Sequence, residues 1–211
     1  MNKVILNYLF QDFSQALTHL GNTQQYLATA TGLVIVPLFY FYDSLVNLAV
    51  YPQKTAAEQE QILTKVTNNQ TKMQLFAQNA PMNYRHKFDL VAAERDRVLG
   101  NKAEAIEIYD RAIAGAQKNQ YLQEEALANE LAAKFYLDWG KEKVATGYLQ
   151  EAYYAYARWG TQAKIADLET RYPQMLAPIL NREKTRLIYP QLLLTCLLLL
   201  TLLIPVVSQE F

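Results

Sequence analysis

A chain of 211 residues with 51% hydrophobic and 19% charged residues is long enough to bury one substantial core. Its formal net charge is zero and no long basic run is interleaved with aromatics, which argues against nucleic acid as a partner. Seven Gly and seven Pro are few and strict alternation is scarce, which favours helices over a sheet, while the lone Cys196 excludes an internal disulfide and sits in an apolar run as a small hydrophobe.

Residues 2–28 read as a helix hairpin with the stripe Leu6, Leu9, Phe13, Ala16, Leu17 and Leu20. Asn7, Gln11 and Asp12 break its apolar stretch, so it is not a signal peptide. From Leu33 to Tyr42 every residue is apolar or aromatic, and the pattern continues to Tyr51. The unbroken run is short for a membrane span, and Asp43, Ser44 and Asn47 follow it, so a buried central helix is expected, with Pro37 in its first turn. Phe39, Tyr40 and Tyr42 are the candidate lining of a small-molecule groove, against the simpler reading that they pack between helices.

Tyr51-Pro52 closes that helix, and Thr55 with Glu58 forms a capping box that opens the next, running to about Asn79. Ile62, Val66, Met73 and Phe76 face inward there, with Asn68, Asn69 and Gln70 interrupting the stripe. Ala80-Pro81-Met82-Asn83 reads as a turn before a helix from Tyr84 to Leu99, in which Glu94, Arg95, Asp96 and Arg97 have the alternation of a solvated, ion-paired face. Asn101 and Glu104 repeat the start signal, and Glu107 stands four residues before Arg111, the spacing of a helix ion pair.

The stretch from Tyr121 to Gly160 is a pair of amphipathic helices hinged at Trp139-Gly140. Ala128, Leu131, Ala132, Phe135 and Trp139 form the inward stripe of the first, opposite Gln123, Glu130, Lys134 and Asp138, which read as a solvated face with Glu130 placed four residues before Lys134 as a helix ion pair. Ala145, Tyr148, Leu149, Ala152, Tyr156 and Trp159 form the stripe of the second, while Tyr154 falls on the polar side with Gln150 and Arg158 as a candidate partner contact. Gly100, Ala105, Tyr109 and Ala112 stand forty residues before Gly140, Ala145, Leu149 and Ala152. A repeat of that length built from paired helices points to a solenoid of stacked hairpins, about four in all. A shorter helix from Gln162 ends at Tyr172-Pro173, and Pro178 marks the end of a helical-repeat domain spanning residues 1–180.

A basic linker, 181–186, carries Arg182, Lys184 and Arg186 into the hydrophobic segment 187–207. Together with Leu187 to Gln191, the uncharged run from Leu192 to Val207 reaches the length of a hydrocarbon core of about 30 Å. It is therefore a candidate membrane anchor, and the cations before it place the large domain in the cytoplasm.

The chemistry-bearing patterns are missing. His19 and His86 lie far apart with no carboxylate or histidine at metal-ligand spacing, and no phosphate-cradling glycine loop or GxSxG nucleophile turn occurs. No catalytic, cofactor-binding or metal-binding residue is assigned, and a non-enzymatic role is expected.

The strings "VIVPLFYFYDSLVNLAVYP" and "NAPMNYRHKFDLVAAERDRVLG", with the run from Phe88 to Leu176, resemble the helical-repeat region of very large bacterial multi-domain signalling kinases. The resemblance covers about Phe13 to Leu180. In such proteins a serine/threonine kinase-like domain and an AAA-like ATPase domain precede this region, and GAF sensor and histidine kinase domains follow it. The motifs of those domains have no counterpart here, so no catalytic residue carries over. The resemblance implies an all-α fold of tetratricopeptide-like antiparallel hairpins stacked as a right-handed solenoid. It also implies a scaffold that binds a protein partner or signalling domains through the concave face made by the first helix of each hairpin. The chain starts inside a repeat and leaves the family pattern after Leu180, as expected for a split remnant of a larger kinase or for a free-standing, tail-anchored adaptor.

Overall fold

The structure, a computed structural model, describes residues 1–27 and 33–181, and every regular element among them is a helix. In chain order the helices of the first 171 residues include α1 (Asn2–Leu9), α2 (Phe13–Gln24), α3 (Ile35–Val50), α4 (Ala56–Asn79), α5 (Pro81–Leu99), α6 (Lys102–Lys118), α7 (Leu122–Asp138), α8 (Glu142–Trp159) and α9 (Gln162–Arg171). Met1–Arg171 form one compact unit, and the described residues from Tyr172 to Asn181 belong to a second. In the second unit residues 173–181 are helical, so Pro178 does not end the helix in which it lies.

Local chemistry sets the helix ends. The capping box at Thr55 is formed in full, with the Glu58 amide donating to the Thr55 hydroxyl and the Thr55 amide donating back to the Glu58 carboxylate. Pro81 occupies the first position of α5, so that helix starts three residues before the Tyr84 expected from the sequence, where a missing N–H costs nothing. Left-handed residues stand at Gly100, Gln120, Gly140 and Gly160, a spacing of twenty. After each, the next amide closes back on the carbonyl five residues earlier: Asn101 on Asp96, Tyr121 on Ala116, Lys141 on Tyr136 and Thr161 on Tyr156. The forty-residue repeat in the sequence is thus two helix stops long. Gln11 makes the same stop after α1, with Asp12 closing on Asn7.

Short connections place consecutive helices side by side, and the α5–α6 and α7–α8 pairs pack most extensively. The odd-numbered helices also touch one another in series, α1 on α3, α3 on α5 and α5 on α7. Alanines carry the close approaches: Ala105, Ala112, Ala116, Ala126, Ala132, Ala145 and Ala152 are all buried. Gly115 serves the α5–α6 contact, since a Cβ there would lie 3.2 Å from the Cβ of His86.

Burial departs from the expected stripes in a consistent way. Helix α7 is buried without interruption from Glu124 to Ala133, and α3 from Phe41 to Leu48. Asp43, Ser44 and Asn47 are therefore interior residues, and the Asp43 carboxylate accepts from Lys65 at 2.7 Å and from Asn69 at 2.8 Å on α4. Asn69 and Gln70, expected to interrupt the inward stripe of α4, are buried and hydrogen-bonded to neighbouring helices. Glu94 and Glu130, expected on solvated faces, are 2% and 1% exposed. Arg111 reaches across to Asp89 on α5, at 3.0 Å, where the sequence suggested Glu107. Trp139 and Trp159 lie at the surface, and Trp139 sits beneath the ammonium groups of Lys102 and Lys141.

No helix of the described residues is long and apolar enough to cross a membrane. Residues 182–186 of the basic linker and the hydrophobic segment 187–207 lie outside the described residues.

Candidate functional site

The C-terminal turn of α1 is where the odd-numbered helices converge. Lys164 on α9 is 1% exposed, and its ammonium donates to the Leu9 carbonyl at 2.7 Å, to Glu130 on α7 at 3.0 Å and to Asp167 at 2.9 Å. A buried ammonium needs all of its protons placed, and here all three are. Leu9 closes α1, so the lysine also sits against the negative end of that helix. Tyr8 is buried beside it, with its ring 5.8 Å from that of Tyr42 on α3 in an edge-on arrangement.

Glu130 is the hub. Its carboxylate accepts from Lys134 at 2.9 Å, from Lys164 and from the Tyr156 hydroxyl at 2.8 Å, so α7, α8 and α9 meet on one side chain. Burial would push its pKa up, but the two ammonium groups and the tyrosine hydroxyl hold it down to about 2. Glu94 on α5 takes a two-pronged bond from Arg97 and a short one from the Tyr109 hydroxyl. Arg97 is held above its ordinary range, chiefly by Glu94.

A second buried set joins α5 to α7. Lys87 pairs with Glu124 at 3.0 Å and points its ammonium at Nε2 of His86, also at 3.0 Å. His86 is buried with its ring 4.7 Å from that of Tyr121. Burial, then the neighbouring ammonium, lowers the imidazole pKa to about 3. Burial pushes Glu124 upward against the pull of Lys87.

Two clefts that open to solvent flank Leu9. One of about 160 Å³ is bordered by Gln11, Glu94, Arg97, Glu130 and Lys134. The other, of about 240 Å³, is bordered by Leu38, Tyr42, Gln123, Glu124 and Trp159. The charges around them neutralise one another in pairs, an arrangement that fixes helix positions. Glu130 at about 2 and His86 at about 3 are both far from the neutral range that proton transfer at pH 7 requires. Among the described residues no group of three or more metal-ligating side chains converges.

The residues singled out in the sequence do not form one site. Phe39 and Tyr42 are buried, Tyr40 is half-buried with the Lys72 ammonium 4.6 Å above its ring, and of the three Tyr42 borders the second cavity. Tyr154 is exposed on α8, its ring edge-on to Tyr153. The spacing of Glu130 and Lys134 announced the ion pair they form at 2.9 Å, but not the burial of Glu130 nor the part of Lys164 in the hub. Lys164 stands beside Ile165 and four residues before Leu168, on the inward side of α9, and that register was the available signal.

No protein-family model matches the chain, and no solved structure matches it. Over 61 residues, 29% of the chain, it is 43% identical to hybrid signal transduction histidine kinase G of Dictyostelium discoideum. The match spans 2% of that protein's length, so the likeness is to one short segment of a signalling kinase.

Proposed function

We propose that the chain is a non-enzymatic helical-repeat scaffold for protein–protein interaction in signal transduction, its tetratricopeptide-like hairpins stacked as a right-handed solenoid. The observation that carries the reading is the helix stop every twenty residues, after Gly100, Gln120, Gly140 and Gly160, combined with odd-numbered helices that touch in series. Repetition of one unit with one row of helices in common is how such stacks present an extended partner-binding face. The short likeness to a hybrid histidine kinase supports a signalling setting. Residues 187–207 attach the chain to a membrane, with the helical domain on the cytoplasmic side.

Affinity purification of the full chain from its own cells, after fractionation, tests this. Recovery from the membrane fraction together with proteins bearing histidine kinase or receiver modules is the expected result, and Tyr154→Ala should reduce that recovery while leaving the melting temperature unchanged, because Tyr154 is 43% exposed. Turnover of ATP by the purified chain, or recovery free of any signalling protein, overturns it. A second reading, an effector-binding sensor, draws on the cavity that Tyr42 borders. A metabolite whose addition raises the melting temperature, an increase abolished by filling that cavity with Leu38→Trp, would favour it.

A further inference from the structure

Helix α7 carries two buried glutamates whose surroundings differ. Glu130 has both carboxylate oxygens occupied, one by the ammonium groups of Lys134 and Lys164 and the other by the Tyr156 hydroxyl. Glu124 is 4% exposed, and its Oε1 accepts from Lys87 at 3.0 Å, while Oε2 is buried with no hydrogen-bond partner. Among the described residues it is the one carboxylate oxygen so placed. A buried charged acceptor left unmatched is costly. Lys87 cannot serve both oxygens, because its ammonium is also directed at the Asn83 carbonyl, at 3.2 Å, and at His86 Nε2, at 3.0 Å. Burial outweighs the pull of Lys87 and holds the Glu124 pKa above its ordinary value, so one ammonium under-compensates this carboxylate.

Glu124 stands in the wall of the cleft of about 240 Å³. The surrounding wall is apolar and aromatic: Ile5 and Leu9 from α1, Leu38 and Tyr42 from α3, and Trp159 from α8. Trp159 is 40% exposed, so its indole is reachable from solvent. An aromatic face attracts a cation, and indole does so most strongly. Trp139 already lies beneath Lys102 and Lys141, whereas among the described residues no cation stands over Tyr42 or Trp159. The cleft is smaller than the roughly 300–1,000 Å³ of sites that hold drug-sized ligands, which sets the size of an occupant.

We infer that this cleft binds a small primary amine in its ammonium form, which donates to Oε2 of Glu124 and lays an apolar body against Leu38, Tyr42 and Trp159. Glu130 shows on the same helix that one buried carboxylate can hold two ammonium groups. A ligand carboxylate is repelled by Glu124, and a neutral hydroxyl forgoes the stronger, charge-assisted bond. The inference rests on the effector-binding reading of the cleft and is independent of the scaffold reading.

Isothermal titration calorimetry of the full-length chain at about pH 7 uses phenethylamine and hexylamine as probes, with phenethyl alcohol and hexanol as neutral counterparts of the same shape. At least one amine should bind at least about tenfold more tightly than its alcohol. Glu124→Gln keeps the shape and an oxygen for Lys87, and it should remove that preference while leaving the alcohol affinity within about twofold. Trp159→Ala, at a partly exposed position, should weaken the amine at least about twofold. If Glu124→Gln does not fold, the amine-to-alcohol ratio of the unaltered chain and the Trp159→Ala result decide. Equal affinity for amine and alcohol, lost in Leu38→Trp, overturns amine recognition while the effector-binding reading stands. A preference that survives in folded Glu124→Gln, or that Trp159→Ala leaves untouched, places binding elsewhere and overturns the inference. Failure of every probe to bind also overturns it, and the metabolite series then decides the effector-binding reading by itself.

Discussion

A Glu130→Ala chain should be less stable by about 3–5 kcal/mol, the cost of breaking a buried ion pair and leaving its partner uncompensated. The partner left behind is Lys164, 1% exposed, with the Leu9 carbonyl and Asp167 as its remaining acceptors. The Tyr156 hydroxyl loses its acceptor in the same step. Lys134 is the less costly half of the hub: its side chain is 27% exposed and can turn to water, so Lys134→Ala should cost no more than about 1 kcal/mol. Urea denaturation reads both values as shifts of the midpoint at constant slope. Replacing both buried charges, Glu130→Leu with Lys164→Met, should cost less than the sum of the single changes, since neither charge is then stranded. The pH dependence follows from the same pair. Glu130 titrates at about 2 in the folded chain, so its contribution is complete above the ordinary glutamate range and is lost as pH falls through 2. Between about pH 4.3 and that point the loss amounts to roughly 3 kcal/mol. A Glu130→Ala loss below about 1 kcal/mol would mean that water reaches Lys164 and the hub is not dry.

Helix existence was legible in the residues because it depends on local chemistry. Thr55 and Glu58 announce a cap by spacing alone, and Gly100, Gly140 and Gly160 mark stops because a left-handed residue suits glycine. Gln120 makes the same stop without glycine, which hides one of the four stops from inspection. Burial of charge was not legible. A pattern such as Glu94-Arg95-Asp96-Arg97 reads as solvated on a single helix, yet Glu94 and Asp96 are buried once the stack forms, Glu94 against Tyr109 of α6. The inference fails because the partners that make burial tolerable come from elsewhere in the chain. Tyr109 lies fifteen residues away from Glu94, and Lys164 lies 155 residues from the Leu9 carbonyl it binds. The return of α1 onto α9 is a long-range contact between two segments whose sequences carry no mark of each other.

Acidification should weaken the fold well above the range in which carboxylates protonate, because of His86. Lys87 directs its ammonium at Nε2 of the imidazole, so that nitrogen must carry a lone pair and the ring is neutral. Its other nitrogen, Nδ1, is buried without a hydrogen-bond partner. Burial, and then the Lys87 charge, hold the pKa at about 3 in the folded chain, whereas in the unfolded chain it returns to the ordinary histidine value. The unfolded chain therefore binds the extra proton first. The stabilisation is fully present above about pH 6.5 and declines as pH falls through the window down to 3. At about 1.4 kcal/mol for each pH unit, the loss is about 2 kcal/mol by about pH 5 and approaches roughly 5 kcal/mol at the lower end. Glu124 works in the opposite direction, because burial raises its pKa and favours its protonated form in the fold, which offsets part of the loss. Protonating Glu124 also removes the counter-charge of Lys87 and so strengthens the repulsion felt by His86. Urea midpoints taken between about pH 7 and about pH 4 should fall steeply for the unaltered chain and more gently for His86→Asn, whose side chain does not titrate. The comparison is of slopes, so any packing loss common to all pH values drops out. Equal slopes, or an imidazole resonance of His86 that titrates near the ordinary histidine value, would show that the Lys87–His86 contact opens to water in solution.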